Sequence, residues 1–142
     1  MGLAHWLSTR LAKLLPRRSL GQRGEAAAAR YLRRRGMKIV ARSSRLKPGE
    51  LDIVALDGEV LVFVEVKTRR SAETGHPAEA VTPAKQRRLT RLAVTFMKRH
   101  GLLDRKARFD VVAVTWPAGK WFAKIEHFPG AFEAVGQWEF YS

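Results

Sequence analysis

The sequence has no cysteine, few acidic residues and no long apolar run. Without cysteine there is neither a disulfide nor a thiolate-bound metal, and a reducing compartment suits the chain. No apolar stretch approaches the roughly 20 residues that span a membrane. The N-terminus also lacks a short apolar segment followed by a small-residue cleavage site. These absences predict a cytoplasmic protein with no integral membrane association.

Positive charge is abundant and unevenly distributed. The 142 residues include 27 Lys and Arg against 13 Asp and Glu, which gives a net charge of +14. Residues 1–49 hold 13 of the basic residues and a single acidic one, a net of +12. This asymmetry predicts a polyanionic partner, nucleic acid first and an anionic membrane surface second. A merely soluble, solvated surface is the alternative.

The chain has the length of one domain, and its 46% hydrophobic content is enough for a core. Residues 1–20 predict a basic amphipathic N-terminal extension, because leucines and a tryptophan recur near helical spacing among basic residues. This extension could dock on the domain or contact a membrane or nucleic acid. Residues 21–128 predict the folded domain, and residues 129–142 a C-terminal tail.

Periodicity and turn signals predict the element order α-β-β-β-α-β-β, a mixed β-sheet flanked by helices and an α/β fold class. The predicted helices run from about 22 to 35 and from 83 to 100, the second after the N-cap Thr82. The predicted strands cover residues 37–43, a hairpin around 50–70, and residues 107–116 and 120–128, with a loop at 71–81.

The hairpin carries charge where a core strand avoids it. Asp57-Gly58 lies between two apolar runs and predicts a two-residue turn. That turn makes Asp52 and Glu65 diagonal neighbours on one face, and Lys67 projects from the same face. A turn one residue longer would move the two carboxylates to opposite faces.

Adjacent carboxylates repel each other, by about 4 kcal/mol at 4 Å and an effective dielectric of 20. A divalent cation reverses that sign, and Mg²⁺ or Mn²⁺ prefers such oxygen ligands. Beside the ion, Lys67 could hold a phosphate oxygen or offset charge in the transition state. The pattern therefore indicates metal-dependent phosphodiester hydrolysis. The alternative is a salt bridge from Lys67 to Glu65 or Asp52 at the hairpin rim.

Asp52, Glu65 and Lys67 resemble the motif of the PD-(D/E)xK nuclease superfamily, although Leu51 stands where that motif nominally has proline. Three blocks are similar, in order and spacing, to the bacterial YraN-like family, which is related to archaeal Holliday junction resolvases. The blocks are "GQRGEAAAARYL" (21–32), "GELDIVALDGEVLVFVEVKTR" (49–69) and "AVTPAKQRRLTRLA" (80–93).

The resemblance implies a restriction-endonuclease-like fold and an endonuclease that uses Mg²⁺ or Mn²⁺ on DNA. By analogy with the resolvases, branched or single-stranded DNA is the implied substrate, and a homodimer is the implied assembly. It also implies metal ligands at Glu25, Asp52, Glu65 and the Val66 carbonyl, with Lys67 as the catalytic lysine. Two alternatives remain open: an inactive nucleic-acid-binding module, and a basic membrane-surface or scaffold protein.

Four further residues are predicted to bind nucleic acid: Lys85, Gln86, Arg69 and Arg45. The first two point inward at the start of the second predicted helix, near its positive dipole end, although a lysine there could equally snorkel to solvent. Glu25 has support from the residues alone, because it is the single acid in residues 1–49 and lies at the edge of its helix's inward face. Its alternative role is a first-turn carboxylate favoured by the helix dipole.

Overall fold

A computed structural model describes residues 19–46, 49–70 and 81–135, of which residues 44–46 are described by their backbone. Its elements are α1 (Leu20–Arg34), β1 (Lys38–Leu46), β2 (Gly49–Asp57), β3 (Val60–Arg69), α2 (Pro83–Arg99), β4 (Ala107–Thr115) and β5 (Lys124–Phe132). The predicted order α-β-β-β-α-β-β is confirmed. Nearly all of the predicted N-terminal extension, the loop at 71–80 and the end of the tail lie outside the described residues.

The five strands form one mixed sheet in the order β1-β2-β3-β4-β5. Three neighbouring pairs are antiparallel, and β3 and β4 are parallel. A parallel pair needs a crossover connection, and α2 supplies it between β3 and β4. This α/β arrangement is consistent with a restriction-endonuclease-like fold.

Each helix covers one face of the sheet. Alternate residues along a strand point to opposite faces, so β3 contributes Val62 and Val64 to one apolar layer and Leu61 and Phe63 to the other. The first layer contains the alanines and Leu32 of α1, and the second contains the apolar stripe of α2. The sheet is therefore buried on both sides, which explains the continuous apolar runs of β2 and β3.

Local capping sets where the helices begin. Ser19 and Gln22 form a reciprocal capping box, so α1 begins at Leu20, earlier than the predicted Gln22. The prediction for α2 is confirmed, with Thr82 as N-cap accepting from the Lys85 N–H and proline at the first helical position. No helix among the described residues is long and apolar enough to cross a membrane.

The predicted Asp57-Gly58 turn is wrong by one residue. The turn is Gly58-Glu59, and Asp57 still pairs with Val60 in the ladder. The Asp57 carboxylate forms an ion pair with Arg108 at 2.9 Å, and Gly58 takes φ +60°, as a first central glycine does in a type II′ turn. The turn still contains two residues. Each residue of β2 therefore pairs with a residue of β3 that lies two positions beyond the predicted partner, and every side chain stays on its predicted face of the sheet.

The last strand begins and ends later than predicted. It runs over Lys124–Phe132 rather than 120–128, so four residues of the predicted tail belong to the sheet. Residues 116–123 instead form the connection from β4, with a turn in which the Lys120 N–H donates to the Pro117 carbonyl at 3.1 Å. The apolar "WFA" that suggested a strand lies in this connection.

A close approach between α1 and β3 fixes the position of α1. Gly24 is buried, and a Cβ added to it would lie 1.9 Å from Thr68 Oγ1 and 2.9 Å from Thr68 Cβ. No side chain fits at that distance, so glycine is required for the helix to approach the strand. Glu25 is the next residue, so the close packing of Gly24 on Thr68 also places Glu25 beside the ends of β2 and β3.

Gly24→Ala should therefore destabilise the protein by about 1–3 kcal/mol, because overpacking outweighs the roughly 1 kcal/mol that alanine gains as a helix former. Urea denaturation measures the change. Gly21→Ala, in the same helix turn but with only Ser19 Oγ at 3.9 Å, is the matched control and should be neutral or stabilising. Equal stability of the two variants would contradict the close-packing account.

Candidate functional site

The β2–β3 ladder ends at the site. Its last pair toward this end is Ile53 with Val64, and the next residues along the two strands are Asp52 and Glu65. Beyond this pair, a side chain takes the place of a backbone carbonyl as hydrogen-bond acceptor: the Val66 N–H donates to Asp52 Oδ2 at 2.9 Å. The sequence thus places two carboxylates side by side where the strands separate.

Asp52 is partly buried and lies in hydrogen-bonding contact with the Glu65 carboxylate. Burial, the negative charge of Glu65 and the hydrogen bond with it raise the pKa of Asp52 to about 7, and Glu25 adds a smaller effect in the same direction. The Val66 N–H opposes the rise. Near neutral pH, Asp52 therefore binds a proton far more readily than an ordinary aspartate does.

Glu65 already has one cation beside it. Lys85 Nζ of α2 lies 2.5 Å from Glu65 Oε1, and both side chains are mostly buried. The sequence prediction assigned Lys85 to a nucleic-acid phosphate and missed this ion pair. The two residues are 20 apart in the chain, and no spacing rule connects them.

Glu25 is held by β1. The Ser43 hydroxyl lies 2.8 and 2.9 Å from its two carboxylate oxygens, and Arg42 Nε lies 3.4 Å from Oε1. Ser43 has φ +47°, a left-handed conformation that costs a non-glycine residue about 1–3 kcal/mol and that clusters at functional sites. The predicted inward position of Glu25 has a structural partner, and neither Arg42 nor Ser43 was singled out from the sequence.

An open cleft of about 430 Å³ lies between α1 and the ends of β2 and β3, and Glu25, Glu50 and Asp52 line it. Glu65 touches Asp52 from the α2 side of the sheet, and Lys67 projects from the same face of β3 as Glu65, since β3 pairs regularly with β4 from Leu61 to Arg69. Within residues 19–46, 49–70 and 81–135, no three acidic or histidine side chains converge closely enough to form a metal-binding group.

Comparison with known proteins places this arrangement in a family. The model of the uncharacterised protein family UPF0102 matches residues 24–114, which contain every carboxylate described above. The chain belongs to UPF0102. The sequence is 48% identical to a UPF0102 protein of Anaeromyxobacter dehalogenans over 121 residues, 85% of this chain and 89% of the relative. It is also 52% identical to one of Geobacter sulfurreducens over 114 residues, 80% of this chain and 88% of the relative.

The UPF0102 match confirms the predicted YraN-like resemblance. A third relative, from Symbiobacterium thermophilum, is 55% identical over 97 residues, 68% of this chain and 82% of the relative. The names of these relatives state the family and no activity.

In this UPF0102 protein, the three other residues predicted to bind nucleic acid have different surroundings: Gln86, Arg69 and Arg45. The Gln86 side chain donates to the Val81 carbonyl at 3.0 Å and so closes the first turn of α2. Arg69 is buried at the end of β3. Arg45 pairs with Glu50 through its backbone, and its side chain lies outside the described atoms.

Asp110, in the "RFDVVAV" segment, is a structural carboxylate. It is fully buried and is bound by Arg108, by His127 Nε2 at 2.8 Å and by the Gly130 N–H at 3.0 Å. Burial alone would raise its pKa, but these donors together hold the pKa of Asp110 below its usual value. Asp110 therefore anchors β5 and takes no part in the site.

The raised pKa of Asp52 gives a pH-dependent stability prediction. The folded protein binds this proton more tightly than the unfolded chain does. Asp52 therefore has little effect on the free energy of unfolding near pH 4, and lowers it increasingly as the pH rises toward about 7. Asp52→Asn removes that effect and can still accept from the Val66 N–H. In chelator, the variant should exceed the parent in stability by at least about 1 kcal/mol near pH 8, the value of a single pKa unit, and the gain should shrink toward pH 4.

Thermal melts across this pH range measure the difference. Asp104→Asn, at an exposed aspartate in the turn after α2, is the matched control and should follow the parent at every pH. A stability difference for Asp52→Asn that does not change with pH would refute the raised pKa.

Proposed function

We propose that this protein is a metal-dependent nuclease that hydrolyses phosphodiester bonds in DNA. The observation that carries the proposal is the contact between Asp52 and Glu65 at the separated ends of β2 and β3. A purely structural strand end has no need for two touching carboxylates, because their repulsion is a cost to the fold. Such a pair is useful where a cation binds, and the resemblance noted from the sequence points to the same residues.

The residues fit Mg²⁺ or Mn²⁺ in part. Asp52 and Glu65 offer the hard oxygen ligands that these ions prefer, and the pair already attracts positive charge in the form of Lys85. Glu25 and the Val66 carbonyl remain candidates, and Glu25 would have to give up its contact with Arg42. A bound ion would supply an activated water and offset the negative charge of the reacting phosphate.

The protein's own residues supply the remaining functions. Lys67 is a positive charge on the same face as Glu65, suited to bind a phosphate oxygen as negative charge develops there. If Glu65 held a metal ion, Lys85 would lose its ion-pair partner and would be available to a neighbouring phosphate, the role predicted for it from the sequence. Thus one lysine can hold the site without metal and bind substrate with it.

The basic N-terminal half supports a polyanionic substrate, and the resolvase resemblance favours branched or single-stranded DNA processed by a homodimer. A second candidate, a nucleic-acid-binding module without catalysis, is favoured by the ion pairs that already engage Glu65 and Glu25. The two functions differ in whether added metal leads to cleavage.

The test is a panel of labelled junction, flap, single-stranded and duplex DNAs, incubated with Mg²⁺, with Mn²⁺ or with chelator. The parent should cleave at least one of them with metal and none with chelator. Asp52→Asn and Lys67→Ala should each lower the cleavage rate about 100-fold or more, the usual cost of losing one charge-stabilising group. Asp52→Asn should bind DNA as tightly as the parent or more tightly, because it carries less negative charge.

Asp104→Asn is the matched control, with the same chemical change away from the site, and should cleave at the parent rate. If Asp52→Asn also cleaves at the parent rate, the activity does not come from this site. If the parent binds DNA but cleaves no substrate with either metal, the binding module is the correct function.

A further inference from the structure

A second cavity lies on the other flank of α1 from the carboxylate cleft. It is an open groove of about 810 Å³ between the outer side of α1 and the connection from β4 to β5. We call it the α1 groove and define it by Arg23, Arg30, Arg34, Trp116, Trp121 and Phe122. Its volume lies in the range of ligand-binding sites. Arg30 and Arg34 lie about half a turn around the helix from Glu25, so the groove is separate from the cleft.

Two aromatic rings at the edge of the groove are unusually exposed. Trp121 is 90% exposed and Phe122 is 50% exposed, and their rings meet edge to face at 5.7 Å. Leaving side chains of this size in water forgoes about 1.5–3 kcal/mol of burial for each, so adjacent exposed rings indicate a binding surface. Lys120 lies beside them, with Nζ 6.0 Å from the Phe122 ring.

Positive charge lines the rest of the groove. Arg23, Arg30 and Arg34 lie seven and four residues apart, which aligns them along one side of α1. The Arg23 guanidinium stacks over the Trp116 ring at 4.8 Å, so a flat cationic surface forms the wall. Among the described residues that line the groove, none is acidic.

We propose that the α1 groove binds single-stranded nucleic acid, with phosphates on the arginines and unpaired bases stacked on Trp121 and Phe122. Single-strand binding sites combine these two features, a cationic groove and aromatic stacking platforms. A duplex hides the faces of its bases, so it can use the arginines but not the rings. This site is independent of the metal-dependent cleavage proposed above.

Other occupants fit the charges less well. A second copy would bring like charges together across the groove, and residues 1–18 contain four basic residues and no acidic one. A membrane surface would suit Trp121 and Phe122, but a flat surface leaves a groove of about 810 Å³ unfilled, whereas a single base can enter it.

The experiment measures binding by fluorescence anisotropy, with the full chain, in chelator, using labelled oligo-dT, oligo-U and a duplex of equal length. The Trp121→Ala/Phe122→Ala variant should lose about tenfold or more in affinity for one or both single strands, since each stacked base contributes about 1–3 kcal/mol, and should keep its duplex affinity. Arg30→Gln/Arg34→Gln should reduce the slope of log affinity against log salt by about 0.7 for each phosphate that the variant no longer binds.

Two variants are matched controls. Val40→Ala removes another exposed apolar side chain. Arg99→Gln/Arg105→Gln removes the same charge at the last residue of α2 and in the turn that follows it. Both variants should bind oligo-dT as the parent does. The proposal is overturned if the aromatic variant binds every single strand with parent affinity, or loses duplex and single-strand binding equally. It is also overturned if the parent binds phosphatidylserine vesicles through these rings and no oligonucleotide.

These measurements separate the two proposals. Single-strand binding that depends on Trp121 and Phe122, in a protein that cleaves nothing with metal, would support the groove and reject the nuclease. Metal-dependent cleavage through Asp52, in a protein whose aromatic variant binds every single strand with parent affinity, would do the reverse.

Discussion

The repulsion between the carboxylates of Asp52 and Glu65 is the constraint around which the site is built. The β2–β3 ladder keeps the two side chains together where it ends, and the pKa of Asp52 is raised to about 7 as a result. Two positive features offset the repulsion: the Val66 N–H and the Lys85 ammonium. The same pattern recurs at Glu25, which Arg42 and Ser43 hold in place. Glu25 and Glu65 therefore each have a cationic side chain beside them.

The fold provides a rigid frame for this arrangement. Apolar layers on both faces bury the centre of the sheet, and the close approach of Gly24 to Thr68 sets α1 against β3. As a result α1 separates two surfaces with different chemistry. Its Glu25 side faces the carboxylate cleft, and its arginine side faces the α1 groove with its exposed aromatic rings.

Local sequence signals predicted the element order, the start of α2 and the shared face of Glu65 and Lys67, because these depend on periodicity and capping. The exact turn was missed because Asp57, a good turn residue, is held in the strand by a tertiary ion pair with Arg108. The Lys85–Glu65 pair joins segments that no spacing rule relates, so the sequence could not reveal it. The connection at Trp121 and Phe122 was predicted as strand because a run of apolar residues is typical of a buried strand. The sequence alone does not show that these two side chains are exposed.

The most direct test of the central claim is whether the Asp52–Glu65 pair binds a cation. Calorimetric titration with Mn²⁺ should show one saturable site in the parent, tighter binding in Lys85→Gln, where the competing ammonium is gone, and no binding in Glu65→Gln. Arg99→Gln, which removes a basic side chain remote from the pair, should bind as the parent does and so control for the general change in charge. Absence of binding in the parent and in Lys85→Gln, or unchanged binding in Glu65→Gln, would contradict the account.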